Sequence, residues 1–236
     1  MSRGLPDTNF ERQSAAFFEP RAPRVYSQDA MAEREDPGSS GWVRAGGWLF
    51  TRRSWLPLPI VVALLVVTWR ESQLFWLTRL LGPVVVAAGE GLRIWGVRHI
   101  GVISRTRSGR TGSLVDSGPF HLVRNPLYVG NIGIWLGFTL SAGLLWLAPF
   151  VLLLLALEYH AIVRWEETLL VSRMGPEYRE YLDRVPRWGL RLSRLRGALA
   201  NPAIYSWRDT LFSERGTLIA IGAGYVLLAV KAALLG

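Results

Sequence analysis

The sequence predicts an all-α fold, a polytopic membrane helix bundle with about five transmembrane helices. Half of its 236 residues are hydrophobic, 11 residues are tryptophan, and the mean hydropathy is positive at +0.22. The apolar residues are concentrated in runs, and arginine-rich polar stretches separate these runs. The five runs are residues 56–69, 80–95, 127–140, 144–163 and 218–235.

Each run predicts one helix, and the short connections constrain how neighbouring helices pack. Several runs are shorter than the roughly 20 residues that cross a bilayer squarely. The third run would form a helix only about 21 Å long, so it must extend beyond its apolar limits or lie in a thinned region. Residues 141–143 connect the third run to the fourth, and so short a connection predicts an antiparallel hairpin.

The arginines predict the orientation of the bundle. Eight precede the first run and ten lie in residues 164–215, whereas residues 70–79 contain only Arg70 and Arg79. By the positive-inside rule, the N-terminus, the loop 96–126 and residues 164–215 are cytoplasmic. We therefore expect an integral membrane protein of a prokaryotic cytoplasmic membrane.

Three regions are predicted along the chain. Residues 1–45 mix charged residues with Pro, Ser and Gly and contain no apolar run, so we expect a disordered or loosely ordered tail that is not a secretory leader. Residues 46–190 contain four of the five runs and form the membrane core. Residues 191–236 form a basic linker followed by a C-terminal transmembrane helix.

The composition excludes several kinds of site. The chain has no cysteine, which excludes disulfides, zinc-thiolate sites, iron–sulfur sites and thiol catalysis. Three histidines, at positions 99, 121 and 160, leave little for a histidine metal site, so no metal is expected. The net charge of +9 comes from arginines that flank apolar runs. Anionic lipid headgroups are therefore the expected partners, rather than nucleic acid.

The stretch 118–130 carries the most informative pattern. It reads Gly-Pro-Phe-His-Leu-Val-Arg-Asn-Pro-Leu-Tyr-Val-Gly. Asn125 is a favoured N-cap residue, and Pro126 is tolerated at the first helical position. The helix that follows would point free N–H groups at its mouth, beside Arg124. The pattern predicts an anion-binding site where a hydrophobic segment enters the membrane.

Several ionisable residues lie in or beside the runs. Glu90 and Arg93 are three residues apart on one face of the second helix, and Glu158 lies in the fourth run. Such residues are candidate functional groups, and the alternative is an interfacial residue or an interhelical ion pair. Arg124 and the glutamate pair 166–167 lie just cytoplasmic of one predicted hairpin. We therefore expect a cation and two carboxylates to meet at one depth.

Two blocks of the sequence together resemble a known signature. The first is residues 114–130, with Gly-Pro-Phe followed by Arg-Asn-Pro-Leu-Tyr-Val-Gly. The second is Arg-Trp-Glu-Glu at 164–167, with Val-Pro-Arg at 185–187 downstream. With Gly-Leu-Arg-Ile-Trp at 91–95, they resemble the membrane isoprenylcysteine carboxyl methyltransferase and phospholipid methyltransferase family over residues 80–190. Two ordered blocks around a hairpin are more specific than either block alone.

The sequence departs from the family pattern at two positions. Asn125 stands where the family usually has histidine, and Phe120 stands where it usually has tyrosine. Asparagine can cap a helix and form hydrogen bonds, but it cannot accept a proton or carry charge. The first block is therefore expected to bind and orient a cofactor rather than to move protons.

The resemblance implies methyl transfer from S-adenosylmethionine to a lipid, lipid-modified or other hydrophobic acceptor, at a cofactor site on the cytoplasmic side. It implies that Arg124 holds the cofactor carboxylate and that residues 166–167 accept hydrogen bonds from its ammonium or ribose. The predicted catalytic residues are Arg93, which would hold an acidic headgroup or substrate carboxylate, and Glu167. The predicted cofactor-binding residues are His121, Leu122, Val123, Arg124, Asn125, Pro126, Tyr128, Gly130, Glu166 and Glu167.

Other interpretations stay open at this point. Tyr128 is alternatively an interfacial aromatic residue, Gly130 a helix-packing residue and His121 a surface residue. A sterol-type, NADPH-dependent membrane reductase carries a similar Arg-x-Pro-x-Tyr-x-Gly block. Such enzymes are typically longer, and an acidic residue often follows the glycine, where this chain has Asn131. A non-enzymatic membrane scaffold is the third hypothesis.

Overall fold

A computed structural model describes residues 41–53, 55–68, 75–101 and 114–235 of the chain. All regular secondary structure in these residues is helical, which confirms the all-α prediction. This part of the chain forms eight α-helices: α1 Gly41–Arg52, α2 Leu58–Val66, α3 Phe75–Ile100, α4 Pro126–Ser141, α5 Ala148–Met174, α6 Pro176–Arg184, α7 Leu195–Ala200 and α8 Trp207–Leu235. Most of the predicted tail, residues 1–40, lies outside the described residues.

Within the described residues, three helical segments are long and apolar enough to cross a membrane: Trp76–Ile100, Leu145–Met174 and Trp207–Leu234. They contain the second, fourth and fifth predicted runs, so an integral membrane protein is confirmed. The first and third runs form α2, with 9 residues, and α4, with 16 residues. These helices are about 14 and 24 Å long, below the ~30 Å of a bilayer core. Five spans therefore stay a prediction.

The helices α4 and α5 form the predicted antiparallel hairpin. Gly143, with a φ of +75°, and the 3-10 turn Leu145–Leu147 connect them. Tyr128, near the start of α4, contacts Tyr159 in the second half of α5, with ring centroids 4.8 Å apart. The start of α4 and the later part of α5 therefore lie at the same end of the bundle.

The helices α3 and α4 cross at close range, and glycines line the crossing. A Cβ added at Gly89 would lie 2.6 Å from the Gly130 carbonyl oxygen, and one at Gly137 would lie 2.7 Å from the Gly82 carbonyl oxygen. Small residues let helix backbones approach in this way, which gives close van der Waals contact within lipid.

Replacing Gly89 with alanine is expected to destabilise the bundle by about 1–3 kcal/mol, because backbone atoms cannot move aside as a side chain can. Thermal unfolding in detergent micelles would measure the loss. The matched control is Gly91→Ala in the same helix, where a Cβ meets nothing within 4 Å. That variant is expected to gain up to about 1 kcal/mol from helix propensity. Equal melting temperatures for the two variants would contradict the close crossing.

The helix α8 is attached to the bundle by polar contacts at both ends. Near its start the fully buried Glu214 pairs with Arg93 of α3, at 2.5 Å. Near its end the Lys231 ammonium donates to the Val67 carbonyl, also at 2.5 Å. Between them the Tyr225 hydroxyl contacts the Ser141 hydroxyl at 3.2 Å. These contacts join the predicted membrane core, residues 46–190, to the predicted C-terminal region, residues 191–236. The boundary between the two regions stays a prediction.

Candidate functional site

The site begins at the turn that precedes α4. Gly118 has a φ of +58°, and a Cβ there would lie 2.4 Å from the His99 ring, so only glycine fits this turn. A 3-10 turn, Gly118–His121, follows, and Pro126 is the first residue of α4, as predicted.

The predicted side-chain cap of α4 is wrong. Asn125 occupies the N-cap position, but its side chain makes no capping hydrogen bond. Its Nδ2 instead donates to the Arg187 carbonyl oxygen at 3.2 Å. The Asn125 side chain finds this partner because the chain after α6 returns to the turn before α4. There the Arg124 N–H donates to the Pro186 carbonyl at 2.9 Å. Asn125 therefore joins two distant segments.

Glu167 of α5 lies at the centre of the site, between two arginines. Arg124 Nη1 is 2.7 Å from Glu167 Oε1, and Arg187 Nη2 is 2.5 Å from Glu167 Oε2. Arg124 Nε also donates to the Val185 carbonyl at 2.6 Å, which holds the guanidinium in place. Both oxygens of the buried carboxylate are occupied. Two guanidinium groups and one carboxylate leave this triad with one net positive charge.

Glu166 adds a carboxylate beside the triad. The Tyr128 hydroxyl donates to Glu166 Oε1 at 3.0 Å, across the α4–α5 hairpin. The predicted meeting of the Arg124 turn with residues 166–167 is therefore present in the structure. The predicted role of these residues in binding a cofactor stays a prediction.

Arg53, at the end of α1, is a cation of this region that the sequence analysis missed. Its guanidinium lies 4.3 Å from the centroid of the Phe50 ring, and Phe50 contacts Trp165, next to Glu166. Arg53 also interacts electrostatically with Glu166 and Tyr128. In the sequence, Arg53 is only one of the charges that predict the orientation. Its proximity to Glu166 could not be predicted, because that proximity depends on how α1 packs on α5.

The helix α6 returns the chain to the site and is anchored by two tyrosines. Gly175, with a φ of +63°, makes the turn from α5. Tyr178 and Tyr181 are buried, and the Tyr181 hydroxyl donates to the Phe120 carbonyl at 2.9 Å. Burial raises the pKa of both tyrosines above the ordinary value, so both hydroxyls stay protonated. This anchoring brings Arg187 to Glu167.

Arg93 lies in a buried cluster that includes the C-terminal helix. Its Nε donates to Glu90 at 3.1 Å and its Nη2 to Glu214 at 2.5 Å. The same guanidinium donates to Asn131 Oδ1 and to the Thr217 hydroxyl. These contacts occupy four of its five N–H donors. The predicted substrate role of Arg93 stays a prediction.

The remaining predicted residues occupy varied surroundings. Leu122 and Val123 are buried, and the Leu122 carbonyl accepts a hydrogen bond from Arg191 N–H at 3.1 Å. His121 lies beside Gly197 of α7, where an added Cβ would be 3.4 Å from the imidazole. Gly130 faces α3, and a Cβ there would lie 2.6 Å from Arg93 Cγ, which matches the helix-packing alternative.

Comparison with known proteins shows what this region is similar to. The sequence model of the phospholipid methyltransferase family matches residues 77–176. The chain is 37% identical over 131 residues to the cobalt-zinc-cadmium resistance protein CzcN of Cupriavidus metallidurans. It is 35% identical over 130 residues to the nickel-cobalt-cadmium resistance protein NccN of Alcaligenes xylosoxydans xylosoxydans.

Each of these matches covers 55% of this chain and 55% of the relative. No solved structure matches. The family match extends from the start of α3 to the end of α5, and it includes the glycine crossing, the Arg124 turn and Glu167. Residues 77–176 of the chain therefore match the phospholipid methyltransferase family, which confirms the resemblance predicted from the two sequence blocks.

Proposed function

We propose that this protein transfers a methyl group from S-adenosylmethionine to a lipid, lipid-modified or other hydrophobic acceptor at the membrane. The observation that carries the proposal is the pairing of Glu167 with Arg124 and Arg187 beside the Tyr128–Glu166 hydrogen bond, at one end of the hairpin. The match of residues 77–176 to a methyltransferase family supports the same reaction class.

The charges of the site fit the amino-acid end of the cofactor. That end carries a carboxylate and an ammonium. The triad of Arg124, Arg187 and Glu167 has one net positive charge, and the Arg187 side chain is 26% exposed, so it can receive an anion. Glu166 has one described hydrogen-bond donor, Tyr128, and its carboxylate suits a cation. The donor set therefore suits a zwitterion.

The cofactor supplies an activated methyl group on a sulfonium, and the residues of this chain supply position. In-line displacement requires alignment and exclusion of water more than it requires an acid or a base. Arg124 and Arg187 would hold the carboxylate, with Glu167 keeping the two guanidinium groups in a fixed orientation. Glu166, oriented by Tyr128, would hold the ammonium or a ribose hydroxyl.

The acceptor would reach the site from the bilayer. Large apolar side chains on α5 and α8 are exposed on the protein surface, including Leu153, Leu157, Phe212 and Ile219. Exposed apolar faces of helices that span a membrane contact lipid tails. A hydrophobic acceptor dissolved in the same lipid would approach by lateral diffusion, and arginines around the site would attract anionic headgroups.

Ligand binding tests the proposal and distinguishes its alternatives. The purified protein in lipid nanodiscs would be titrated with S-adenosylhomocysteine and, separately, with NADPH, by isothermal calorimetry. We expect saturable binding of S-adenosylhomocysteine and none of NADPH. The reverse result would indicate the sterol-type reductase, and no binding of either compound would favour a membrane scaffold. After a positive result, lipid extracts incubated with radiolabelled S-adenosylmethionine would identify the acceptor.

A further inference from the structure

The buried cluster around Arg93 connects the C-terminal helix to the candidate cofactor site. Arg93 and Glu90 are each 5% exposed and Glu214 is fully buried. Both Glu214 and Thr217 belong to α8, which lies outside the segment that matches the family. The two residues contact Arg93 from that helix, at 2.5 and 3.1 Å.

A continuous series of contacts leads from this cluster to Glu166. Arg93 Nη1 donates to Asn131 Oδ1, and the Asn131 side chain also interacts with the Tyr159 hydroxyl. The Tyr159 ring packs on the Tyr128 ring, with centroids 4.8 Å apart. The Tyr128 hydroxyl in turn donates to Glu166 at 3.0 Å.

The backbone at Gly130 is shaped for this cluster. A Cβ at that position would lie 2.6 Å from Arg93 Cγ and 3.3 Å from Arg93 Cδ. The glycine that ends the first sequence block therefore makes room for the Arg93 side chain as it crosses towards α8. Asn131, the next residue, receives the guanidinium. The first block thus contacts Arg93 through Gly130, its last residue, and it also contributes Arg124.

We propose that Glu214 is a positioning residue: acting through Arg93 and Asn131, it sets the positions of Tyr159 and Tyr128 and hence of Glu166. A buried ion pair in an apolar surrounding has few alternative arrangements, because separating the charges leaves each without compensation. Glu214 therefore restricts the orientation of Arg93, and the restriction passes to the tyrosines. The identity of the ligand that Glu166 receives rests on the proposed function.

The alternative is that Glu214 only attaches α8 to the bundle. Lys231 provides the matched control, because it is also a buried charged residue of α8. It lies at the other end of that helix, where it contacts the carbonyl of Val67, the residue after α2. Substituting either residue weakens the attachment of α8. Of these two residues, Glu214 is the one with a described contact to Arg93 and through it to the site.

The experiment compares Glu214→Gln with Lys231→Met in nanodiscs. We expect Glu214→Gln to weaken S-adenosylhomocysteine binding by roughly fivefold, and Lys231→Met to leave the affinity within about twofold. In a double-mutant cycle, Glu214→Gln and Tyr128→Phe are expected to be non-additive, whereas Lys231→Met and Tyr128→Phe are expected to be additive. Unchanged affinity in Glu214→Gln, or additivity in both cycles, would overturn the proposal.

A measurement without ligand separates this proposal from the proposed function. In protein labelled with ¹³C at tyrosine Cζ, the signals of Tyr128 and Tyr159 are expected to shift in Glu214→Gln and to stay in place in Lys231→Met. Thr217→Val removes one hydrogen-bond acceptor of Arg93 and keeps the ion pair, and it is expected to shift the same two signals. This variant replaces Glu214→Gln as the test if Glu214→Gln does not fold. Unmoved tyrosine signals would overturn the positioning role. Failure of the wild-type protein to bind S-adenosylhomocysteine would overturn the proposed function alone.

Discussion

Replacing Arg93 with methionine is expected to lower the free energy of unfolding by about 3–5 kcal/mol. Methionine keeps an unbranched apolar stem, shorter than that of arginine, and removes the charge. Glu90 and Glu214 would then be left as buried carboxylates without their shared cation. Isolated charges in an apolar surrounding are costly, and the cost is greater within a membrane than at a protein surface.

Unfolding of the Arg93→Met variant by increasing mole fractions of dodecyl sulfate in mixed micelles would measure the loss. A triple variant, Arg93→Met with Glu90→Gln and Glu214→Gln, serves as the control, because it removes the cation together with both carboxylates. It is expected to recover most of the stability, since no buried charge remains unpaired. A triple variant as unstable as Arg93→Met would show that packing, rather than charge, accounts for the loss.

Replacing Glu167 with glutamine is expected to weaken S-adenosylhomocysteine binding by about 10- to 100-fold, the range that corresponds to losing a charged hydrogen bond of about 1.5–3 kcal/mol. Arg124 and Arg187 are both within 3 Å of the Glu167 carboxylate. Without the negative charge, the two guanidinium groups repel each other and lose their common orientation. Arg124→Ala is expected to weaken binding similarly. Calorimetric titration would measure the affinity, and thermal unfolding would measure the stability.

Arg184, the last residue of α6, provides a control for the Glu167 substitution. Arg184 pairs with Asp116 at 3.6 Å, and both side chains are about half exposed, at 52% and 46%. Exposed ion pairs contribute about 0–1 kcal/mol, so Arg184→Ala is expected to change neither affinity nor melting temperature appreciably. For Glu167→Gln we expect a loss of binding that exceeds the loss of stability. Equal losses of the two would assign Glu167 a structural role only.

Local patterns in the sequence predicted much of the hairpin and its site. Short-range rules placed Pro126 at the start of α4 and joined α4 to α5 through a short turn. Since both sequence blocks lie towards the open end of that hairpin, the meeting of the Arg124 turn with residues 166–167 followed from chain connectivity. The apolar runs also predicted helices, but the helix lengths in the described part of the chain support three candidate spans rather than five.

Contacts between distant segments were beyond these patterns. The Glu90–Arg93 pair is visible as an i,i+3 spacing, whereas Glu214 lies 121 residues from Arg93. The side chain of Asn125 follows no local capping preference, because the Arg187 carbonyl, 62 residues away, offers it a partner. In each case the outcome depends on how α6 and α8 pack, and one sequence read alone contains no direct signal of that packing.

The ion pair between Arg93 and Glu214 has a consequence for the biogenesis of the protein. A ribosome adding about 5–20 residues per second needs roughly 6–24 s to proceed from Arg93 to Glu214, 121 residues later. During that interval α3 is already synthesised, with Glu90 as the acidic partner of Arg93 from the same helix. The last helix, α8, therefore completes the charge balance of α3, which is synthesised much earlier. Final assembly of this bundle is a late event of translation, and it depends on the arrival of α8.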